Sequence, residues 1–261
     1  MPEHAPAFLA YVAGVGLFAS LFAGVVGIGA VLLIAPLLFF GGPLFFGTAI
    51  DFKEISNLTT FSVVIAAMRG IFIYRSFGLL RREVIGPMGV PAFICAVAGV
   101  VLASYAPAQA IQAVFAIASL AGAAFLLIPY NRELDDAKRE LERNPVPYAT
   151  AAGIVGFIGG FAGAGGGFLL IPTLMGIFRL PTRVALGTAS FTGLVIAVTA
   201  FVGRIALLHV DWLLVAAIGC GSILGTEIGT RFQQRVPTLI LRRAVVCVVG
   251  LSAFRLLLTH A

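Results

Sequence analysis

Long apolar runs separated by short polar stretches dominate this chain. A membrane-spanning helix needs about 20 apolar residues. Eight apolar runs approach or exceed that length, at residues 7–40, 55–74, 84–103, 107–129, 148–178, 184–203, 210–229 and 238–258. The pattern therefore predicts an all-α integral membrane protein with about eight transmembrane segments.

Two of these runs, 7–40 and 148–178, are too long for one straight crossing. Each has a glycine cluster near its middle and a proline after the cluster. Glycine inside a helix costs about 1 kcal/mol relative to alanine, so a cluster of glycines needs a structural reason. We interpret segments 1 and 5 as broken helices, or as helices followed by a re-entrant arm.

The two glycine-rich stretches belong to an internal repeat. GVVGIGAVLLIAP at 24–36 aligns with GFAGAGGGFLLIP at 160–172, with five of 13 positions identical. Farther along, 57–62 aligns with 187–192. The sequence predicts two homologous four-segment membrane repeats, 1–130 and 148–261. The polar linker between them, 131–147, holds nine of the 28 charged residues.

The repeat leaves two topologies open. If all eight segments cross, the halves run in parallel, and ten Lys and Arg residues lie on one side against seven on the other. That difference weakly favours both termini and the linker inside. If segments 1 and 5 are re-entrant, each half has an odd number of crossings and the halves are inverted, as in several secondary transporters. The first run also exceeds the about 7–15 apolar residues of a signal peptide, so we expect it to be part of the mature protein.

Composition excludes several classes of protein. Of the 261 residues, 60% are hydrophobic and 11% are charged, with a net charge of +6. A soluble domain has about 25% charged residues, so a soluble enzyme is excluded. The basic residues flank the apolar runs and form no stripe, which argues against binding of nucleic acid. Cysteine spacing indicates no metal site, and the sequence offers no nucleophile–base pair or cofactor motif, so no enzyme is predicted.

The glycine clusters and nearby polar residues form the candidate substrate site. An unwound stretch exposes backbone N–H groups, and the positive end of a helix dipole favours an anion without burial of a full charge. Hydroxyl and amide groups would complete the shell, although close packing of small residues is an alternative explanation. The predicted substrate-binding residues are Gly27, Gly29, Asn57, Thr60, Gly163, Gly165, Gly166, Gly167, Ser190 and Thr192.

A few charged residues near segment ends receive separate roles. Lys53 and Arg183 occupy aligned positions in the two halves, where they are expected to attract anions at a pore mouth. Glu227 is a candidate proton carrier. Arg69 and Arg204 are interpreted as interfacial side chains that snorkel to the membrane surface or pair locally.

The duplicated glycine-rich segment that ends in proline resembles the sulfite exporter TauE/SafE family, also called the toluene-sulfonate uptake permease group. The second copy, GFAGAGGGFLLIPTLMGIFRLPTRVALGTASFTG, is similar to the most recognisable stretch of that family, and Val210, Asp211 and Trp212 resemble its "DW" element. In the first copy Ala30 and Val31 depart from the pattern. The resemblance covers nearly the whole chain and implies movement of small anions, often sulfite or sulfonates.

We therefore expect a multi-pass secondary transporter in the inner membrane of a bacterium. It would move sulfite, an organosulfonate or a related sulfur compound by alternating access, one half rocking on the other. A passive anion channel and a transporter of small carboxylates are the alternatives. The expected partners are the anionic substrate, the lipid bilayer, and a proton or other coupling ion. No nucleic acid is expected, and formation of a homo-oligomer is left open.

Overall fold

The computed structural model describes residues 5–26, 30–47, 49–76, 80–127, 144–178, 180, 182–207 and 210–232. Within these residues it consists of nine α-helices without strands, which confirms the all-α class. They are α1 (Pro6–Val26), α2 (Val31–Phe46), α3 (Phe52–Ser76), α4 (Arg82–Tyr105), α5 (Ala108–Leu127), α6 (Pro145–Ala162), α7 (Gly167–Gly176), α8 (Thr182–Leu207) and α9 (Trp212–Phe232).

Six of the described helices are long and apolar enough to cross a membrane, namely α1, α3, α4, α6, α8 and α9. The apolar run 7–40 contains most of α1 and most of α2, and the run 148–178 contains most of α6 and all of α7. The predicted eighth segment, 238–258, lies outside the described residues, as does most of the linker 131–147. The eight-segment repeat and the two repeat boundaries therefore stay predictions.

Local sequence signals set several helix ends. Pro145 occupies the first position of α6, where a missing N–H costs no hydrogen bond. The preceding Asn144 caps this helix, because its side-chain oxygen accepts a hydrogen bond from the N–H of Val146 at 3.1 Å. Asp211 caps α9 in the same way and accepts from the N–H of Leu213 at 2.9 Å. The helix α6 thus includes the last three residues of the predicted linker, 145–147.

The pairs α1/α9 and α4/α6 pack with their backbones in contact. A Cβ added to glycines of one helix would clash with carbonyl oxygens of its partner, once per turn. The contacts join Gly221 to Ala13, Gly225 to Leu17, Gly229 to Leu21, Gly156 to Ala92 and Gly160 to Ala96. Residue numbers rise together on both helices, so the two helices of each pair run in the same direction. Small residues permit this close approach in membranes.

The central helices α3 and α8 run in opposite directions. Arg204, near the end of α8, contacts Asn57, near the start of α3. At the other end of the crossing, Gly70 of α3 lies against the hydroxyl of Ser190 near the start of α8. Buried polar side chains of both helices lie at or near these two contacts.

Large apolar side chains cover the outside of the bundle. Phe72, Ile154 and Trp212 are 70%, 63% and 59% exposed, whereas an arginine and many hydroxyl groups are buried. A soluble protein would show the reverse distribution. Helices satisfy their own backbone hydrogen bonds, so such a surface suits contact with lipid.

Candidate functional site

The stretch between α6 and α7 is an irregular segment inside the bundle. Gly163, Gly165 and Gly166 have φ angles of 70°, 61° and 69°, in the left-handed region that glycine adopts at little cost. All three are buried. A Cβ at Gly163 would clash with the hydroxyl of Ser56, and one at Gly165 would clash with Val63. The backbone of this stretch therefore lies directly against α3.

Hydroxyl groups of α3 cover the end of α6. The Ser56 hydroxyl donates to the carbonyl of Ala162 at 2.7 Å. The hydroxyls of Thr59 and Thr60 lie 3.0 and 2.8 Å from the carbonyl of Gly163. They also lie 3.0 and 2.6 Å from the carbonyl of Ser56 on their own helix, so each proton is shared between two acceptors. Carbonyls at a helix end have no partner within the helix, and water is scarce inside a membrane protein. These three side chains supply the missing donors.

Arg204 lies at the same helix end. Its side chain is fully buried, and Nη2 donates to the carbonyls of Gly160 and Phe161 at 3.1 and 3.0 Å. Nη1 donates to Oδ1 of Asn57 at 3.3 Å. Nε has no partner within the part of the chain that the structure describes. A cation at a helix C-terminus is favoured by the helix dipole, so Arg204 joins α3, α6 and α8 at one point.

The start of α7 includes two backbone N–H groups without a described acceptor. The N–H of Gly167 donates to the carbonyl of Gly165 at 2.9 Å, and that of Leu170 to Gly166 at 3.0 Å. The N–H groups of Gly165 and Gly166 donate to no described backbone carbonyl. A Cβ at Gly167 would meet no atom within 4 Å. Free N–H groups, open space and a positive dipole end together suit an anion.

Some predicted site residues come together here and others do not. The cluster contains Asn57, Thr60, Gly163, Gly165 and Gly166, with Gly167 next to it. Gly27 and Gly29 lie outside the described residues.

Ser190 lies in a different place. Its hydroxyl donates to the carbonyl of Leu186 at 2.8 Å, and it packs against Gly70. Gly70 is about 20 Å along α3 from Asn57, at 1.5 Å per residue. Ser190 and Asn57 therefore do not share one binding shell in this conformation.

Thr192 lies nearer to the start of α7. Its neighbour Gly193 is so placed that a Cβ there would lie 3.6 Å from Cα of Gly167. The hydroxyl of Thr192 is fully buried and has no partner among the described residues. The same holds for Thr188, one helical turn earlier. Two buried hydroxyls on one face of α8 thus have free donor capacity.

The predicted charged residues Lys53, Arg183 and Glu227 do not form one group. Lys53 and Arg183 belong to the first turns of the antiparallel helices α3 and α8, so they mark opposite ends of the crossing; the side chain of Arg183 lies outside the described residues. Glu227 forms ion pairs with Arg69 at 2.8 Å and with Arg231 at 2.9 Å. Its role as a proton carrier stays a prediction.

The interpretation that Arg204 snorkels to the membrane surface is wrong. The predicted apolar segment ends at residue 203, whereas α8 continues to Leu207, and Arg204 is 0% exposed. The three residues after Arg204 are apolar, and a segment extended across them would have placed the arginine inside the helix. The burial of Arg204 depends on contacts with α3 and α6, and a local sequence pattern does not predict those contacts.

Comparison with known proteins identifies a family that matches most of the chain. The model of the family described as sulfite exporter TauE/SafE matches residues 12–256. Probable membrane transporter protein YunE of Bacillus subtilis is 32% identical over 100 residues, which are 37% of each chain. Probable membrane transporter protein MJ0441 of Methanocaldococcus jannaschii is 24% identical over 256 residues, which cover 94% of this chain and 92% of that protein. No solved structure gives a significant match.

Proposed function

Because the chain belongs to the sulfite exporter TauE/SafE family of membrane transporters, we propose that it is a secondary transporter of a small anion in the bacterial inner membrane. The proposed substrate is sulfite, an organosulfonate or a related sulfur compound. The observation that supports an anion is made at the start of α7. The buried residues Gly165 and Gly166 have N–H groups without a described acceptor, and a Cβ at Gly167 would meet no atom within 4 Å. No enzymatic step is part of this proposal.

The α3 hydroxyls have a positioning role in the proposed site. Ser56 already donates its proton to the carbonyl of Ala162, and the single protons of Thr59 and Thr60 lie between the carbonyls of Gly163 and Ser56. A hydroxyl has one donor, and its lone pairs repel an anion. In this conformation the three side chains therefore hold the backbone of the stretch in place, and Thr192 is the better hydroxyl donor for the substrate.

The helix pairing supports inverted repeats. Under the repeat alignment, α1 corresponds to α6, α3 to α8 and α4 to α9. If each helix is replaced by its counterpart in the other half, the pair α1/α9 becomes the pair α6/α4. The pair α3/α8 becomes itself. All three pairs are observed. Because the corresponding helices α3 and α8 run antiparallel, the symmetry axis lies in the membrane plane. We therefore favour the inverted topology over the parallel one.

Basic residues support an orientation for this topology. Most arginines of the described residues lie at the end of the bundle where α3 and α9 end and α4 begins. They are Arg69, Arg75, Arg81, Arg82 and Arg231. Lys53 and Arg204 lie toward the opposite end. The positive-inside rule then places the first end in the cytoplasm. The start of α1 faces outward, in contrast to the parallel topology, which placed both termini inside.

A membrane-impermeant maleimide should label Tyr105→Cys from outside and Arg81→Cys only after permeabilisation.

Counterflow in proteoliposomes tests the transport proposal. Liposomes loaded with unlabelled sulfite should take up labelled sulfite in a saturable, trans-stimulated manner, because a carrier exposes its site alternately to the two sides. A passive channel would show no trans-stimulation. Sulfoacetate, taurine and acetate in the same assay separate sulfur anions from carboxylates. Absence of exchange with every anion would refute the carrier, and protein-free liposomes are the control.

A further inference from the structure

Arg204 is the one fully buried charged side chain among the described residues. Burial of a charge without a counter-ion is costly in a membrane protein. No described carboxylate forms an ion pair with Arg204, and its three acceptors are the neutral carbonyls of Gly160 and Phe161 and the amide of Asn57. The C-terminal dipole of α6 offsets roughly half an elementary charge. A net positive charge therefore remains inside the bundle.

The guanidinium also keeps donor capacity. It has five N–H groups in a fixed plane, and three of its hydrogen bonds reach the acceptors named above. Nε is buried, and its N–H has no described partner. A Cβ at Gly163 would lie 2.9 Å from Nη2, so the charge lies beside the irregular stretch that precedes α7. A charged group with an unused donor thus adjoins the proposed anion site.

From these observations we infer that Arg204 is a substrate-binding residue whose guanidinium neutralises the transported anion and whose Nε–H donates to it. The inference rests on the proposed function and adds a fixed positive charge to the main-chain dipoles. The substrate class is then a compact oxyanion such as a sulfite, sulfonate or carboxylate, because its concentrated charge replaces the missing counter-ion. A role restricted to capping α6 is the competing explanation.

Asn57→Asp separates the two explanations. Aspartate is nearly isosteric with asparagine and places a carboxylate at the position of Oδ1, 3.3 Å from Nη1. If Arg204 binds the anion, this internal counter-ion competes with substrate. We expect labelled sulfite uptake to fall about tenfold or more, equal to about 1.4 kcal/mol. Sulfite should no longer raise the melting temperature of the purified variant, whereas the ligand-free variant should melt at or above the wild-type temperature.

If Arg204 only caps α6, the Asn57→Asp protein takes up sulfite like the wild type, and that result would overturn the inference. Asn144→Asp is the matched control, because it makes the same substitution at the exposed N-cap of α6, outside the candidate site. We expect this control to retain uptake and thermal stabilisation by sulfite.

Arg204→Lys gives a second, independent readout. It keeps the positive charge and loses the Nε–H and the planar fork. We expect a raised KM for sulfite with a smaller change in kcat, while Arg204→Gln should lose uptake. If Arg204→Gln does not reach the membrane, the Asn57→Asp and Arg204→Lys results distinguish substrate binding by Arg204 from capping of α6.

Failure of the inference differs from failure of the proposed function. Wild-type protein that exchanges none of sulfite, sulfoacetate and acetate would refute both. Wild-type protein that exchanges sulfite, together with unchanged KM in Arg204→Lys and unchanged uptake in Asn57→Asp, would refute only the role of Arg204.

Discussion

At the residue scale, conformation and space together restrict the glycines between α6 and α7. Gly165 combines a φ of 61° with direct contact to Val63 of α3. A β-branched residue is strained in that region of φ, at a cost on the order of 1–3 kcal/mol. The effect of substitution should therefore be local to the proposed substrate site.

Gly165→Val should abolish sulfite uptake while the protein still inserts into the membrane. The valine side chain would displace the backbone N–H groups at the start of α7. Uptake in proteoliposomes and abundance in the membrane fraction measure the two effects. Gly14→Val is the control, because a Cβ at Gly14 meets no atom within 4 Å. Near-wild-type uptake by Gly165→Val would show that this stretch does not bind the anion.

Glu227 provides a residue-scale test of proton coupling. If it carries the coupled proton, Glu227→Gln should remove the pH dependence of uptake, because glutamine does not titrate. Its ion pairs with Arg69 and Arg231 are partly exposed, so their loss should cost at most about 1 kcal/mol of stability. Glu83→Gln, at the exposed start of α4, is the control. An unchanged pH profile in Glu227→Gln would leave Glu227 with a structural role.

At the element scale, small residues determine how closely helices approach. On α9, Gly221, Gly225 and Gly229 meet carbonyls of α1 at successive turns. From the sequence, the glycine clusters had two explanations, an anion site and close packing of small residues. The structure assigns packing to this row of glycines and a left-handed backbone to Gly163, Gly165 and Gly166.

Gly225→Val should lower the stability of the bundle. A Cβ at this position would clash with the carbonyl of Leu17, and overpacking of a tight contact costs about 1–3 kcal/mol. The melting temperature of the protein in detergent should fall. Gly89→Val in α4 is the matched control, because a Cβ there has open space. Equal melting temperatures of the two variants would contradict backbone contact between α1 and α9.

At the scale of the whole molecule, each tight helix pair contains one helix from each predicted half. The pairs are α1 with α9 and α4 with α6. A motion in which residues 1–130 rock on residues 148–261 would separate backbones that touch. The moving bodies that preserve these contacts are the pairs themselves, so we expect α4 and α6 to move together during transport.

A disulfide between α4 and α6 tests this expectation. A Cβ at position 153 would lie 3.3 Å from Sγ of Cys95, so Gly153→Cys should crosslink to Cys95 when the other two cysteines are serine. Uptake by the oxidised protein should equal uptake after reduction. The same protein with Cys95→Ser is the control for oxidation itself. Loss of uptake that reduction restores would favour movement of one half on the other.

The sequence by itself determined that the chain folds into apolar membrane helices, because hydropathy is a property of neighbouring residues. It also identified the family, since the glycine-rich motif is local. Helix ends at Asn144 and Asp211 follow from capping groups next to the helices. Each of these features depends on a few consecutive residues.

Only the tertiary structure decided which polar residues meet. Asn57 and Arg204 are far apart in sequence and touch because α3 and α8 cross in opposite directions. The same crossing separates Ser190 from Asn57, although the repeat alignment suggested a shared shell. Burial of Arg204 depends on carbonyls at the end of α6. Such contacts arise when distant helices pack together, and helix periodicity does not specify the partner or the direction of packing.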